Sequence, residues 1–372
     1  MTDAPRVLER DLLYRKRKKK GRFTAVMPAQ PALEGPLADT HCHLGALDAP
    51  LALARAAFWG MDFLCCMTEP DNDAPRAYAD QAAWEAEAAA LYPQLLDATE
   101  AVLAERDDAA VPALRGMLAQ RRSQGMPPMP RMRLAVGCHP HTSRRWNPAL
   151  EALMRQALAD PRTCAVGEVG LDYYYDLSPR AVQIRVFRAQ IRLAHEAGLP
   201  LILHIRDAHD DALAVLREEG FPPAGTVLHC CSLPPDRLVP WIEAGCFIAY
   251  GGITTFNSSE EARAGAATVP ADRLLLETDS PYMAPVPLRG TPCYPDFATW
   301  TAVRLAQVRG CAPGPDRQAL LAQMHANACG LLDRAPTAWQ QAHHRPGQPL
   351  AAVYPEQREG EEAPGADEAG RA

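Results

Sequence analysis

Eight short apolar runs, separated by stretches of helical periodicity, constrain this chain more than any other feature of its sequence. The runs are Leu37–His43, Asp62–Met67, Arg133–Cys138, Cys164–Glu168, Pro200–His204, Thr226–Cys230, Cys246–Tyr250 and Arg273–Thr278. Each has the length of a strand buried on both faces. Helical patterns such as Ala149–Leu158, Arg180–Ala197 and Ala208–Glu219 lie between them, and Ser178-Pro179 reads as an N-cap followed by a first-turn proline. Gly198, Gly220 and Gly245 each follow a helix and precede a strand, as C-cap glycines do. Eight strand–helix repeats predict an α/β fold, a single parallel (β/α)8 TIM barrel. A doubly wound open sheet is the competing layout, but no G-x-G-x-x-G follows a strand to support it.

The barrel domain is expected over residues 37–335. Residues 1–36 are polar, basic and proline-bearing and read as a flexible N-terminal extension. Residues 336–372, rich in Ala, Pro, Gly, Gln and Glu, read as a low-complexity acidic tail. From Thr68 to Met132 the chain takes 65 residues, far more than a βα connection needs. Helical pieces at Arg76–Arg106 and Val111–Ser123 predict a helical insertion at about 72–130 after the second strand. Such a connection opens on the catalytic face, so the insertion is either a lid or an extension of the outer ring.

Charge narrows the chemistry. The chain carries a formal net charge of −7, from +6 in residues 1–22, −4 in residues 355–372 and −9 in the remainder, so its body is not a nucleic-acid binder by bulk electrostatics. All four lysines fall in the run Arg15-Lys16-Arg17-Lys18-Lys19-Lys20, and none follows. The body therefore has no Schiff-base or phosphate-loop lysine, and its positive charge is arginine. The basic run can add non-specific affinity for DNA or stand as a solvated tail. Eleven cysteines, several in apolar runs and none in a C-x-x-C, read as reduced thiols of a cytoplasmic protein. No apolar stretch reaches signal-peptide or membrane-span length, and no protein partner is implied beyond a monomer or weak oligomer.

Ligand-type residues stand at the ends of the runs. His41 and His43 end the first, spaced so that both point to one face of a strand. Glu168 ends the fourth, His204 the fifth, His229 the sixth, and Asp279 follows the eighth. Singly, each reads as a cap or a satisfied polar group. Together they are six nitrogen and oxygen ligands on one face of a barrel, more than a single tetrahedral ion needs and suited to two divalent ions. Zn, Mn, Mg, Fe and Ni all fit such a set. Cys42 and Cys230 alternate with the histidines and should face away. Two cations lower the pKa of a shared water, and Asp279 can take its proton. Arg206 and Arg289 are candidates for phosphate, His139 and His141 for substrate or leaving group, and Tyr173 and Tyr282 for base stacking.

The segments Asp39-Thr40-His41-Cys42-His43-Leu44, Gly137-x-His139-Pro140-His141, Gly167-Glu168-Val169-Gly170-Leu171-Asp172-Tyr173-Tyr174, Leu203-His204-x-Arg206-Asp207-Ala208 and Leu276-Glu277-Thr278-Asp279-Ser280-Pro281-Tyr282 resemble the successive motifs of the TatD family. That family comprises metal-dependent deoxyribonucleases of the amidohydrolase superfamily. The resemblance runs in order from about Leu37 to Asp333 and includes Pro285-Val286-Pro287-x-Arg289-Gly290 and Asn327. It implies that His41, His43 and Asp279 hold one ion, that His204 and His229 hold the second, and that Glu168 bridges both. It also implies phosphodiester hydrolysis, often 3′→5′ on single-stranded DNA. Ile205, Cys231 and Leu233 depart from the family pattern beside the site. Many relatives in the superfamily bridge their ions with a carbamylated lysine, which this body lacks, so the bridge must be a carboxylate. The alternatives are a hydrolase of an amide, lactone or ester, including an aminoacyl-RNA ester, on the same site, and a metal-free scaffold that binds through its basic arm.

Overall fold

A computed structural model describes residues 12–17, 23–26, 31, 33, 35–105 and 111–350. The short strands β1 (Tyr14–Arg17) and β2 (Phe23–Val26) pair antiparallel. The eight predicted runs follow as β3 (Leu37–Cys42), β4 (Met61–Thr68), β5 (Arg131–Val136), β6 (Thr163–Asp172), β7 (Leu201–Arg206), β8 (Thr226–Leu228), β9 (Phe247–Tyr250) and β10 (Leu274–Leu276). They lie in chain order in one parallel sheet. The two edges then meet: Thr40 Oγ1 donates to the Leu276 carbonyl at 3.0 Å, and Asp279 N–H to the His41 carbonyl at 2.8 Å. The result is the nearly closed TIM barrel that the alternating pattern predicts.

Side-chain alternation explains the interior. Phe63, Cys65 and Met67 of β4 meet Ala38, Ala135, Ala165, Ile202, Val227, Ala249 and Leu275 inside the barrel, while Leu64 and Cys66 pack outward. Large side chains alternate with alanines across the bore, so that the layers interdigitate. The outer ring includes α1 (Ala49–Phe58), α2 (Ala74–Ala104), α3 (Val111–Gln124), α4 (Pro148–Leu158), α5 (Arg180–Ala197), α6 (His209–Glu219), α7 (Pro235–Glu243), α8 (Glu260–Thr268) and α9 (Ala298–Val308). From α10 (Pro315–Leu332), Ala328, Leu331 and Leu332 join the barrel interior, and Asn327 Nδ2 bonds the carbonyls of Ala271 and Leu274. That helix closes the end where the strands begin.

The insertion is an extension of the outer ring. α2 starts beside the mouth, where Asp73 Oδ1 accepts the Glu69 N–H, and descends the wall. By Gln81 it has reached the start of β5, where Gln81 Nε2 donates to the Met132 carbonyl at 3.0 Å. It then runs on, and α3 returns to the lower end of α1 through Arg121 Nε and the Phe58 carbonyl. Both helices lead away from the mouth.

Three expectations need correcting. Residues from 336 on do not all lie in a tail: Thr337 closes a capping box on α11 (Ala338–His343), and buried Gln340 Nε2 donates to the carbonyls of Leu158, Asp160 and Thr163. Composition conceals this because a few side chains make the attachment: Gln340, the Thr337 hydroxyl on the Ala197 carbonyl, and partly buried Trp339. The N-terminal extension contributes buried Leu12 and Leu13, and Leu12 N–H donates to Thr99 Oγ1 on α2. Residues 1–11, 18–22 and 351–372, with Lys18, Lys19 and Lys20, lie outside the described residues. The N-cap of α5 is Pro179, because Ser178 Oγ is occupied by the His141 carbonyl and the Arg144 N–H. Among the described residues no helix is long and apolar enough to cross a membrane.

Candidate metal centre

All six predicted ligands meet at the C-terminal mouth, around Glu168. Oε2 of Glu168 lies 3.4 Å from His41 Nε2 and 3.9 Å from His43 Nε2. Its Oε1 lies 2.6 Å from His204 Nδ1, 3.2 Å from His229 Nε2 and 3.7 Å from His139 Nε2. Asp279 Oδ1 completes the first group, 3.8 Å from His41 Nε2 and 3.4 Å from His43 Nε2. His41 and His229 stack with ring centroids 3.7 Å apart, so the two groups are contiguous.

Local backbone makes this convergence possible. Glu168 does not end its strand. A register shift between Val166 and Val169 lets β6 run on to Asp172 and aims Glu168 into the mouth from mid-strand. Gly170 (φ +147°) passes so close to β7 that a Cβ there would sit 2.1 Å from the His204 carbonyl oxygen. Asp279, at φ +61°, turns its carboxylate across the seam between β10 and β3. Cys42 faces away, its thiol on the Cys65 carbonyl. Cys230 does not keep the alternation, because β8 ends at Leu228. Its φ is +48°, and its N–H donates to Glu277 Oε1 at 2.7 Å.

Electrostatics follow from crowding imidazoles onto carboxylates. Burial opposes ionisation of Glu168, but the charges of His41, His229, His204 and His139 hold its carboxyl well below the usual range. Burial likewise disfavours charge on His43, yet the hydrogen bond and charge of Asp279 raise it to about 9. His139 is pulled down to about 4 by burial and by the charge of His204. Among the described residues, neither buried ring nitrogen of His41 finds a hydrogen-bond partner. Desolvated lone pairs of that kind are costly unless a cation takes them up, so the residues fit a metal.

Three carboxylates around the ligands escaped the sequence reading. Asp172 Oδ2 accepts from His141 Nε2 at 2.7 Å and His204 Nε2 at 3.2 Å, while its Oδ1 caps Tyr174 N and Tyr175 N. Glu277 holds His229 Nδ1 at 3.3 Å. Asp39 accepts the N–H groups of His41 and Thr278 and the Thr278 hydroxyl, and burial pushes its carboxyl up to about 8 against those bonds. Each stands in a quoted motif, and the available signal was a carboxylate inside an apolar run.

The proposed substrate residues divide. Arg206 lies 3.8 Å over the Tyr174 ring, and Arg289 lies 3.7 Å over Phe256. Among the described residues neither guanidinium has a carboxylate partner, so a salt bridge from Arg206 to Asp207 does not form. Tyr282 is 52% exposed and stands edge-on to His43. Tyr173 is pinned by Asp211 and covered by Arg180, whereas Tyr174 is 52% exposed. A cleft beside the centre is lined by Tyr173, Asp207, His209, Asp211, Ser232 and Arg237.

Comparison with known proteins places these features. The family model for TatD related DNase matches residues 38–333. The uncharacterized metal-dependent hydrolase YabD of Bacillus subtilis is 34% identical over 175 residues, 47% of this chain and 69% of that protein. The 3′-5′ ssDNA/RNA exonuclease TatD of Erwinia billingiae is 36% identical over 198 residues, 53% of this chain and 76% of that protein. Among solved structures, YjjV, a TatD homolog from Escherichia coli, superposes with a TM-score of 0.62 at 23% identity, covering 80% of this chain and 98% of that one.

Proposed function

Since this chain belongs to the TatD-related DNase family of metal-dependent hydrolases, we propose that it removes nucleotides from the 3′ end of single-stranded DNA with two divalent cations. The observation that carries the two-cation reading is the division of Glu168. One oxygen faces His41 and His43, with Asp279 beside them, and the other faces His204 and His229. Those six residues would hold the ions, with Glu168 shared. When bound, the cations supply Lewis acidity and make a nearby water acidic enough to attack phosphorus near neutral pH.

The chain's own groups supply the remainder. Asp279 Oδ1 takes the proton of the attacking water and aligns it. Asp172 and Glu277 fix the orientation of His204 and His229. Arg206 and Arg289, which have no carboxylate partner among the described residues and sit over the Tyr174 and Phe256 rings, take phosphate oxygens. His141, anchored by Asp172, is placed to give a proton to the leaving oxygen, with His139 beside it. Tyr282 offers an exposed face to a base, whereas Tyr173 is pinned by Asp211 beneath Arg180.

One observation favours a second reading, hydrolysis of a small ester, lactone or amide. Asp207, Asp210, Asp211 and Glu261 border the cleft and repel a polyanion there. Labelled single-stranded DNA and RNA, duplex DNA, lactones and aryl esters, each with Mn2+, Mg2+ or Zn2+, separate the two. The nuclease reading expects stepwise shortening of single strands, lost in His204→Ala and Asp279→Ala. Ester or lactone turnover by wild-type protein that leaves DNA intact would reverse the order.

A further inference from the structure

The end of the barrel opposite the mouth holds a second cluster with ligand chemistry, independent of the catalytic reading. His325 and Cys329 stand four residues apart on α10 and so share one face of that helix. Asp62, the second residue of β4, comes up to them. His325 Nε2 lies 2.7 Å from Asp62 Oδ2 and 3.5 Å from Cys329 Sγ, and one ligand atom from each residue falls within 4.8 Å of the others. We propose that Asp62, His325 and Cys329 form a structural site for one divalent transition ion of the Zn2+ class.

An ion pair explains Asp62 and His325 but leaves the thiol without a purpose. Arg131 supplies the second observation. Its Nη2 lies 2.9 Å from Asp62 Oδ2 and 3.5 Å from Cys329 Sγ, so a guanidinium nitrogen already bridges the carboxylate and the sulfur. Its Nε is bound to Asp333 Oδ2 at 2.8 Å, a carboxylate that can keep the arginine once it leaves Asp62. On binding, the metal replaces that guanidinium edge, the Cys329 thiol loses its proton to solvent, and His325 Nε2 becomes a lone-pair donor. The side chains of His325 and Asp62 are 18% and 31% exposed, which leaves room for water as a fourth ligand. A sulfur, an imidazole and one carboxylate favour Zn2+, Co2+ or Ni2+ over Mg2+ or Ca2+. The ion would strap α10, which closes the barrel, to β4.

Titrating Co2+ into the full chain tests this, because the six residues proposed at the mouth offer only nitrogen and oxygen. Wild type should develop one equivalent of thiolate-to-Co2+ charge-transfer absorption, and His204→Ala should retain it whatever becomes of the nuclease reading. Cys329→Ser should abolish the band with an unchanged circular dichroism spectrum, and His325→Gln should weaken it if the serine variant does not fold. Arg131→Gln should tighten binding roughly tenfold or more, the scale on which neighbours of a ligand act. A band that persists in Cys329→Ser and disappears in Cys230→Ser would place the thiolate at the mouth and overturn the proposal. So would the absence of a band in both wild type and Arg131→Gln.

Discussion

Glu168 has two oxygens, and its neighbours divide between them, which gives single residues unequal parts in the centre. Asp172 illustrates this. Its Oδ1 caps a turn while its Oδ2 orients two imidazoles. Asp172→Asn keeps the first function and removes the second. Metal affinity or turnover should fall by about 10- to 100-fold, as for other outer partners of ligands, while the unfolding midpoint barely moves. Isothermal titration with Zn2+ or Mn2+ checks it, and unchanged affinity and turnover would reduce Asp172 to a turn former. The six candidate ligands stood out because an imidazole or carboxylate at the end of an apolar run is costly without a partner. Asp172, Glu277 and Asp39 did not, since a carboxylate that receives backbone N–H groups looks, in sequence, like any cap.

At the scale of elements, period and chemistry located the strands, but not how far each one runs. β6 outlasts its apolar run because it continues through Gly170 to Asp172 with every residue buried. The insertion was recognisable as helical, yet its course along the wall depends on long-range bonds such as Gln81 to Met132, which no local pattern encodes. α11 was missed for the same reason. Its attachment includes Gln340, whose amide reaches three carbonyls near the start of β6, and Thr337, whose hydroxyl donates to the Ala197 carbonyl. Gln340→Ala strands buried acceptors and should cost about 2 kcal/mol in urea unfolding. Activity measured well below the transition should not change. A loss under 0.5 kcal/mol, about the level of an exposed substitution, would return this segment to the tail.

The whole molecule couples the centre to its own stability. The six candidate ligands lie on or just after β3, β6, β7, β8 and β10, so a cation held by them would tie distant parts of the barrel together. Binding to the folded state alone stabilises by RT ln(1 + [L]/Kd), about 2.7 kcal/mol at a hundredfold excess over Kd. Chelator-treated protein should therefore melt several degrees lower, with Zn2+ or Mn2+ restoring the loss in wild type but less in a double variant His204→Ala/Asp279→Ala. An identical melting temperature before and after stripping would argue against bound ions at the mouth. Fold class and barrel order were visible in the repeat, whereas the meeting of β3 and β10 was not, because it joins residues more than 230 positions apart.

That seam also governs when the centre comes into being. His41 is synthesised 238 residues before Asp279, and the bond from Asp279 N–H to the His41 carbonyl fastens the two beside Glu168. A nascent chain still on the ribosome lacks the whole ligand set until its last barrel strand has emerged. The centre is thus completed only when the last of the eight barrel strands closes against the first, while the helices that follow it are still to be added.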